Sequence, residues 1–80
     1  MDRFSKKIDV GGHMQLFEFS RIKNTNGVKY FVTSKDIEGK PFSFSLTEKE
    51  SRTWKLQPGA TRWLYDIESE LSEAIETTTE

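Results

Sequence analysis

Apolar and polar residues alternate along two neighbouring segments in the middle of this chain. Apolar side chains occupy every second position, as Val28, Tyr30 and Val32 in one segment and as Phe42, Phe44 and Leu46 in the other. Successive side chains of a β-strand point to opposite faces of the sheet, so this period of two predicts two strands with one apolar face each. The glycine-containing segment between them predicts an antiparallel hairpin.

Residues 14 to 23 predict a third strand, but their pattern allows either face to be buried. Met14, Leu16 and Ile22 share one face, whereas Phe17 and Phe19 share the other. Turn chemistry decides between the two. The loops at residues 25 to 27 and 37 to 39 both end in glycine, which suits a three-residue hairpin loop.

The three-residue loops fix an expected register. They place Ile22 opposite Tyr30 in the first hairpin, and Val32 opposite Phe44 in the second. A two-residue turn at Asn26-Gly27 would instead bring Lys23 beside Tyr30 and Arg21 beside Val32 and bury cations. We therefore expect Ile22 to face the core and Phe17 and Phe19 to face outwards.

Two helices are expected after the sheet. The capping-box pattern Thr47-Glu48-Lys49-Glu50 predicts a short helix that ends near Trp54 or Lys55, and Gln57-Pro58-Gly59 then breaks the chain. Helical spacing follows in Trp63, Leu64, Ile67, Leu71, Ala74 and Ile75. We expect Trp63, Leu64, Ile67 and Leu71 to pack on Tyr30, Val32, Phe42 and Phe44.

The predicted fold is α+β: a three-stranded antiparallel β-meander packed against a C-terminal amphipathic helix, with a short helix before it. Residues 14–77 form this single domain, and residues 78–80 form a frayed tail. Residues 1–13 are an N-terminal arm that either adds an edge strand or stays separate. The segment Gly11-Gly12-His13-Met14 is read either as a native loop or as a cloning junction.

Charge is divided unevenly along the chain. Residues 1 to 62 hold all 12 Lys and Arg with 7 acids, whereas residues 63 to 80 hold 6 acids and no base. The first interpretation is a solvated helix face, since charge runs usually serve solvation. The second is an acidic face for a basic partner, with Asp66, Glu70, Glu73 and Glu76 as the protein-binding residues. Acids near a helix C-terminus are disfavoured by the helix dipole, which favours this second interpretation.

Signals of catalysis are nearly absent. The chain has no cysteine and a single histidine, His13, beside two glycines, so we expect no catalytic residue, metal site or cofactor, and no enzyme. Its apolar runs are too short for a membrane span or a signal peptide, which favours a cytoplasmic protein with no membrane partner.

An alternative binding surface is the outward face of the predicted sheet. In the expected register this face gathers Phe17, Phe19, Arg21, Lys29 and Phe31. Aromatic residues interleaved with bases are typical of sheets that bind DNA or RNA. The competing interpretation is that the N-terminal arm, or a second copy in a homodimer, covers these aromatic side chains.

A local resemblance bears on this alternative. Residues 27 to 54, GVKYFVTSKDIEGKPFSFSLTEKESRTW, resemble the AP2-like arm-binding domain at the N-terminus of phage tyrosine integrases. The matching features are the aromatic strand at Tyr30, the D-x-x-G-K turn from Asp36 to Lys40, and the T-x-x-E helix start from Thr47 to Glu50. The resemblance implies a DNA-binding sheet, although that family is basic and this chain ends in an acidic helix.

The sequence therefore predicts a small non-enzymatic binding protein. Our first hypothesis is an inhibitor or adaptor of the phage or mobile-element type that contacts a host protein, such as one with a basic nucleic-acid-binding surface, through its acidic helix. The alternative is a DNA/RNA-binding module that uses the sheet face. A structural homo-oligomer is the third reading.

Overall fold

The computed structural model describes residues 3–25, 27–36, 38–49 and 53–79. Their elements are β1 Arg3–Val10, β2 His13–Asn24, β3 Gly27–Lys35, β4 Pro41–Lys49, β5 Thr53–Leu56, α1 Arg62–Tyr65 and α2 Glu68–Thr79. All strands belong to one antiparallel sheet in the order of the chain. The predicted α+β class, antiparallel meander and C-terminal helix are confirmed, but the sheet has five strands rather than three.

Strand β1 is one of the two strands beyond the three predicted for the meander. It joins β2 through a two-residue turn at Gly11-Gly12, with Val10 opposite His13. Both glycines have positive φ, +61° and +87°, as this tight hairpin turn requires. The Asp9 carboxylate accepts a hydrogen bond from the Gly12 N–H at 2.8 Å. Of the two alternatives for the N-terminal arm, the structure therefore shows the edge strand.

The predicted register between β2 and β3 is wrong. Asn24 lies opposite Gly27, so two residues form the loop instead of three, and Arg21 lies opposite Tyr30. This change of parity turns Phe17 and Phe19 into the core and Ile22 outwards. Arg21 itself stays exposed although its cross-strand partner Tyr30 is buried. The expected cost of burying cations therefore does not arise.

The second hairpin follows the prediction. Val32 lies opposite Phe44 and Ser34 opposite Phe42, which is the register of a three-residue loop. Gly39 has a φ of +84° at the end of that loop. One carboxylate oxygen of Asp36 accepts hydrogen bonds from the N–H groups of Glu38 and Lys40, both at 2.9 Å.

The predicted short helix at residue 47 is also wrong. Residues 47 to 49 continue β4, and Thr53–Leu56 form β5, with Glu48 opposite Trp54. Trp54 and Leu56 are both buried, so burial at a period of two outweighs the capping-box pattern. Glu50 lies outside the described residues. The helix start implied by the integrase resemblance therefore has a strand in its place.

The helix α2 completes the fold. It packs against β5 and also against β1, so the curled sheet brings its first and last strands to the same helix. The predicted core is confirmed in the main: Leu64, Ile67 and Leu71 are buried together with Tyr30, Val32 and Phe44. Trp63 and Phe42 are half-buried and pack edge to face, with ring centroids 5.7 Å apart. The helix extends to Thr79, and Glu80 lies outside the described residues, so the fraying expected for residues 78–80 stays a prediction.

In the part of the chain that the structure describes, neither helix has the length and apolar character needed to cross a lipid bilayer.

Candidate functional site

The side of α2 that faces β5 serves the fold. The Glu68 carboxylate accepts a hydrogen bond from the Leu56 N–H at 2.8 Å, and the Ser72 hydroxyl accepts one from the Trp54 N–H at 3.1 Å. These N–H groups point away from β4, along the outer edge of the sheet. The Lys55 ammonium lies 3.6 Å from the other carboxylate oxygen of Glu68. Glu68 is thus an acid with a structural partner.

The acids proposed from the sequence lie on α2 and on the turn before it. Asp66 is the C-cap residue of α1, two residues before α2 begins, and it is exposed together with Glu70 and Glu73 of α2, whereas Glu76 is half-buried. Among the described residues, no ion pair involves Asp66, Glu70 or Glu73. The structure therefore presents three of the four predicted protein-binding residues to solvent. We name Asp66, Glu70 and Glu73 the acidic face.

Two shallow grooves flank this face. The groove towards β1 has a volume of about 380 Å³ and includes Lys6, Lys7, Glu70 and Glu73 in its lining. The groove towards β5 has a volume of about 300 Å³, and Glu73 also lines it. Glu73 therefore lies on the ridge between the grooves. Lys6 and Lys7 border this ridge on the β1 side, and Lys55 lines the groove on the β5 side.

The alternative nucleic-acid face is not assembled as predicted. Phe17 and Phe19 have exposed fractions of 0% and 1%, because they point into the core. Phe4 stacks on Phe19 with ring centroids 4.5 Å apart, and Phe17 packs edge to face against Phe44. Arg21 shares the inward parity of these residues. Of the five predicted residues, Lys29 and Phe31 are the two that remain on the outward side of the sheet.

The outward, convex side of the sheet has Phe31, as predicted, together with Met14, Leu16 and Ile22, which the expected register had turned towards the core. Ile22 and Phe31 are 37% and 38% exposed, and Met14 and Leu16 are more exposed still. Arg3 joins this side because β1 pairs with β2, which sets Arg3 opposite Ser20, and Ser20 opposite Phe31. The alternation of Phe4, Ile8 and Val10 was the signal for this strand.

A third groove lies where β2 and β3 separate. The pairing of these strands ends at Glu18 and Thr33. Beyond it, the Ser34 hydroxyl donates to the Leu16 carbonyl at 2.6 Å and accepts from the Gln15 side-chain amide at 3.0 Å. The groove has a volume of about 450 Å³, and His13 is part of its rim.

The described residues contain no group of three or more His, Cys, Asp and Glu side chains that could hold a metal ion. His13 is exposed.

No known protein family, no curated protein and no solved structure matches this chain.

Proposed function

We propose that this protein is a small non-enzymatic binding protein whose acidic face engages a basic surface of another protein. The observation that supports this most is that the residues which hold α2 on the sheet are different from its exposed acids. Glu68, Ser72 and the buried Leu71, Ala74 and Ile75 hold the helix on the sheet. Asp66, Glu70 and Glu73 make no such hydrogen bond or ion pair to another element within the part of the chain that the structure describes, so we infer that their side chains are available to a partner.

The helix dipole does not distinguish a binding role for the acidic face. Glu70 lies in the first turn of α2, where negative charge is favoured, and Glu73 lies in the middle of the helix. Glu76 is the acid of the second half of α2, and this half-buried residue lies outside the acidic face. The proposal therefore depends on the exposure of Asp66, Glu70 and Glu73 and not on the dipole.

The partner that suits this face has a basic, solvent-exposed surface. A protein that binds nucleic acid through such a surface is one example, since carboxylates compete with phosphates for Lys and Arg. An inhibitor or adaptor of the phage or mobile-element type would act in this way, in the cytoplasm. The charge would mainly accelerate association and select the partner.

A pull-down with nuclease treatment tests this function. The purified protein is used as bait in a lysate of the source cells, and the captured proteins are compared with those captured by Glu70→Lys/Glu73→Lys. The control is Glu18→Lys/Glu38→Lys, which changes the net charge equally at two exposed positions off α2. We expect capture that survives nuclease, persists in the control and is lost in the α2 variant.

Two results would contradict the proposal. One is capture that disappears with nuclease, because it would be mediated by nucleic acid. The other is equal capture by the wild type and the α2 variant, because the acidic face would then be irrelevant. Circular dichroism of both variants establishes that they are folded, as expected for exposed charges that contribute only tenths of a kcal/mol each.

The DNA- or RNA-binding alternative has lost its main support. It depended on an aromatic platform, and Phe17 and Phe19 are buried. Of the predicted residues, Phe31 and Lys29 remain on that face, and Arg3 adds a cation without a second aromatic ring, which is little for a platform that stacks bases. Binding to DNA or RNA is therefore tested as a possible outcome of the experiments.

A further inference from the structure

A compact patch on the convex side of the sheet joins cations with apolar side chains. One cross-strand row contains Arg3, Ser20 and Phe31, and the next contains Ile22 and Lys29. Side chains on one face of a strand are two residues, or about 7 Å, apart, so these rows are neighbours. We name Arg3, Ile22, Lys29 and Phe31 the convex patch. A shallow groove of about 520 Å³ borders it, lined by Arg3 and Phe31 among others.

On the side of β4 the neighbours of the patch are polar, and the row of Lys29 and Thr47 continues to Lys55 of β5. Across β4, Ser45 lies opposite Phe31 and Thr47 lies opposite Lys29. On the other side, the nearest acid of the same face is Glu18, in the row of Ser5 and Thr33. The patch is thus a mixed cationic and apolar surface, the composition found in many protein interfaces.

The acidic face has the complementary composition. It carries Asp66, Glu70 and Glu73, and Tyr65, which directly precedes Asp66, is 44% exposed. Carboxylates beside an exposed aromatic ring match cations beside Phe31 and Ile22 in both charge and polarity. Such electrostatic complementarity guides association and selects its orientation.

One molecule cannot join these two surfaces by itself. The convex patch points away from the core, whereas α2 covers the opposite, concave side between β5 and β1. We propose that the convex patch binds the acidic face of a second copy of this chain. The two surfaces differ, so the contact is heterologous and can repeat from copy to copy instead of closing as a two-fold dimer.

This inference does not depend on the host partner proposed above, although it has a consequence for it. A copy whose acidic face is held by a neighbour cannot offer that face to another protein. Self-association and partner binding would therefore compete, and dilution or salt would release the acidic face.

Sedimentation velocity on the purified chain tests the proposal. Measurements at about 10 mM and about 1 M salt compare Debye lengths of about 30 Å and 3 Å. We expect the weight-average sedimentation coefficient to rise with protein concentration at low salt, and to stay at the monomer value at high salt. A monomer at every concentration and at both salts would overturn the proposal.

Charge reversal identifies the surfaces. Glu70→Lys/Glu73→Lys and Arg3→Glu/Lys29→Glu should each stay monomeric at low salt, because one surface of each variant repels its complement. An equimolar mixture should associate again, since each variant supplies the surface that the other has lost. Failure of the mixture to associate, or association of either variant alone like the wild type, would refute the pairing.

Circular dichroism establishes whether each charge-reversed variant is folded, and a milder pair of substitutions replaces any variant that is not. If a reversed variant does not fold, Arg3→Gln/Lys29→Gln or Glu70→Gln/Glu73→Gln replaces it, and weaker association than the wild type is expected. Binding of labelled single- and double-stranded DNA is measured in parallel. A monomer that binds DNA at low salt and loses it in Arg3→Glu/Lys29→Glu would assign the convex patch to nucleic acid instead.

Discussion

The carboxylate of Glu68 accepts a hydrogen bond from the backbone N–H of Leu56 at 2.8 Å. This bond joins the first turn of α2 to the last strand of the sheet. Together with the bond from the Trp54 N–H to Ser72, it supplies acceptors to strand groups that β4 does not reach. The helix therefore replaces a neighbouring strand at this edge, which protects the edge from pairing with other chains.

Removing this acceptor should destabilise the protein. We expect Glu68→Ala to lower the free energy of unfolding by about 1.5–3 kcal/mol, because a partly buried N–H loses a charged acceptor. Lys55→Ala is the matched control, since it removes only the ion pair with Glu68 and should cost about 1 kcal/mol or less. Urea denaturation followed by tryptophan fluorescence measures both. Equal losses of stability in the two variants would show that the hydrogen bond from the Leu56 N–H to Glu68 does not contribute to stability.

The register of β2 can be tested with two phenylalanines of opposite faces. Phe17→Ala should cost about 3–5 kcal/mol because it opens a cavity in the core. Phe31→Ala removes the same atoms from an exposed side chain and should cost about 1 kcal/mol or less. A thermal melt of each variant distinguishes the two. A larger loss of stability in Phe31→Ala than in Phe17→Ala would support the three-residue loop that the sequence favours.

The contact between helix and sheet predicts large losses at Leu71 and Phe44. Either residue replaced by Ala should lower the free energy of unfolding by about 2–5 kcal/mol, a large share of the stability of a small domain. Leu16→Ala is the control for the leucine, because Leu16 is 48% exposed. If Leu71→Ala unfolds at the same urea concentration as Leu16→Ala, the assigned core is wrong.

The turn between β1 and β2 should distinguish two substitutions at one position. Gly11 has a φ of +61°, a conformation that Asn tolerates and that β-branched residues avoid. Gly11→Asn should therefore keep the melting temperature of the wild type. Gly11→Val should lower the free energy of unfolding by about 1–2 kcal/mol or more, and it should melt at a lower temperature. Similar melting temperatures for the two variants would argue against this turn.

The loop between β3 and β4 depends on the side chain of Asp36. We expect Asp36→Ala to cost about 1 kcal/mol or more, because two backbone N–H groups lose their acceptor. Asp36→Asn keeps a side-chain oxygen and should retain most of the stability. Hydrogen exchange at the amides of Glu38 and Lys40 reports the effect locally. Unchanged exchange in the Ala variant would contradict the assigned hydrogen bonds.

The amino-acid sequence determined the features that depend on local pattern. Alternation specified β3 and β4, and the Asp36 to Lys40 turn specified their register, since both follow from residues close in the chain. The helical spacing that ends at Ile75 specified which side of α2 is buried. The exposure of Asp66, Glu70 and Glu73 followed from the same spacing.

Tertiary contacts decided what local pattern left open. Either face of β2 could have been buried, and Phe19 points inwards in a structure where Phe4 of β1 stacks on it at 4.5 Å. That contact requires β1 to be part of the sheet, and the residues of the loop between β2 and β3 carry no information about β1. The segment from Trp54 to Leu56 is likewise a strand with acceptors on α2, because Glu68 and Ser72 are distant in sequence and near in space. Burial and pairing between distant segments outweigh local propensity at these positions, and they also place Arg3 in the same cross-strand row as Phe31.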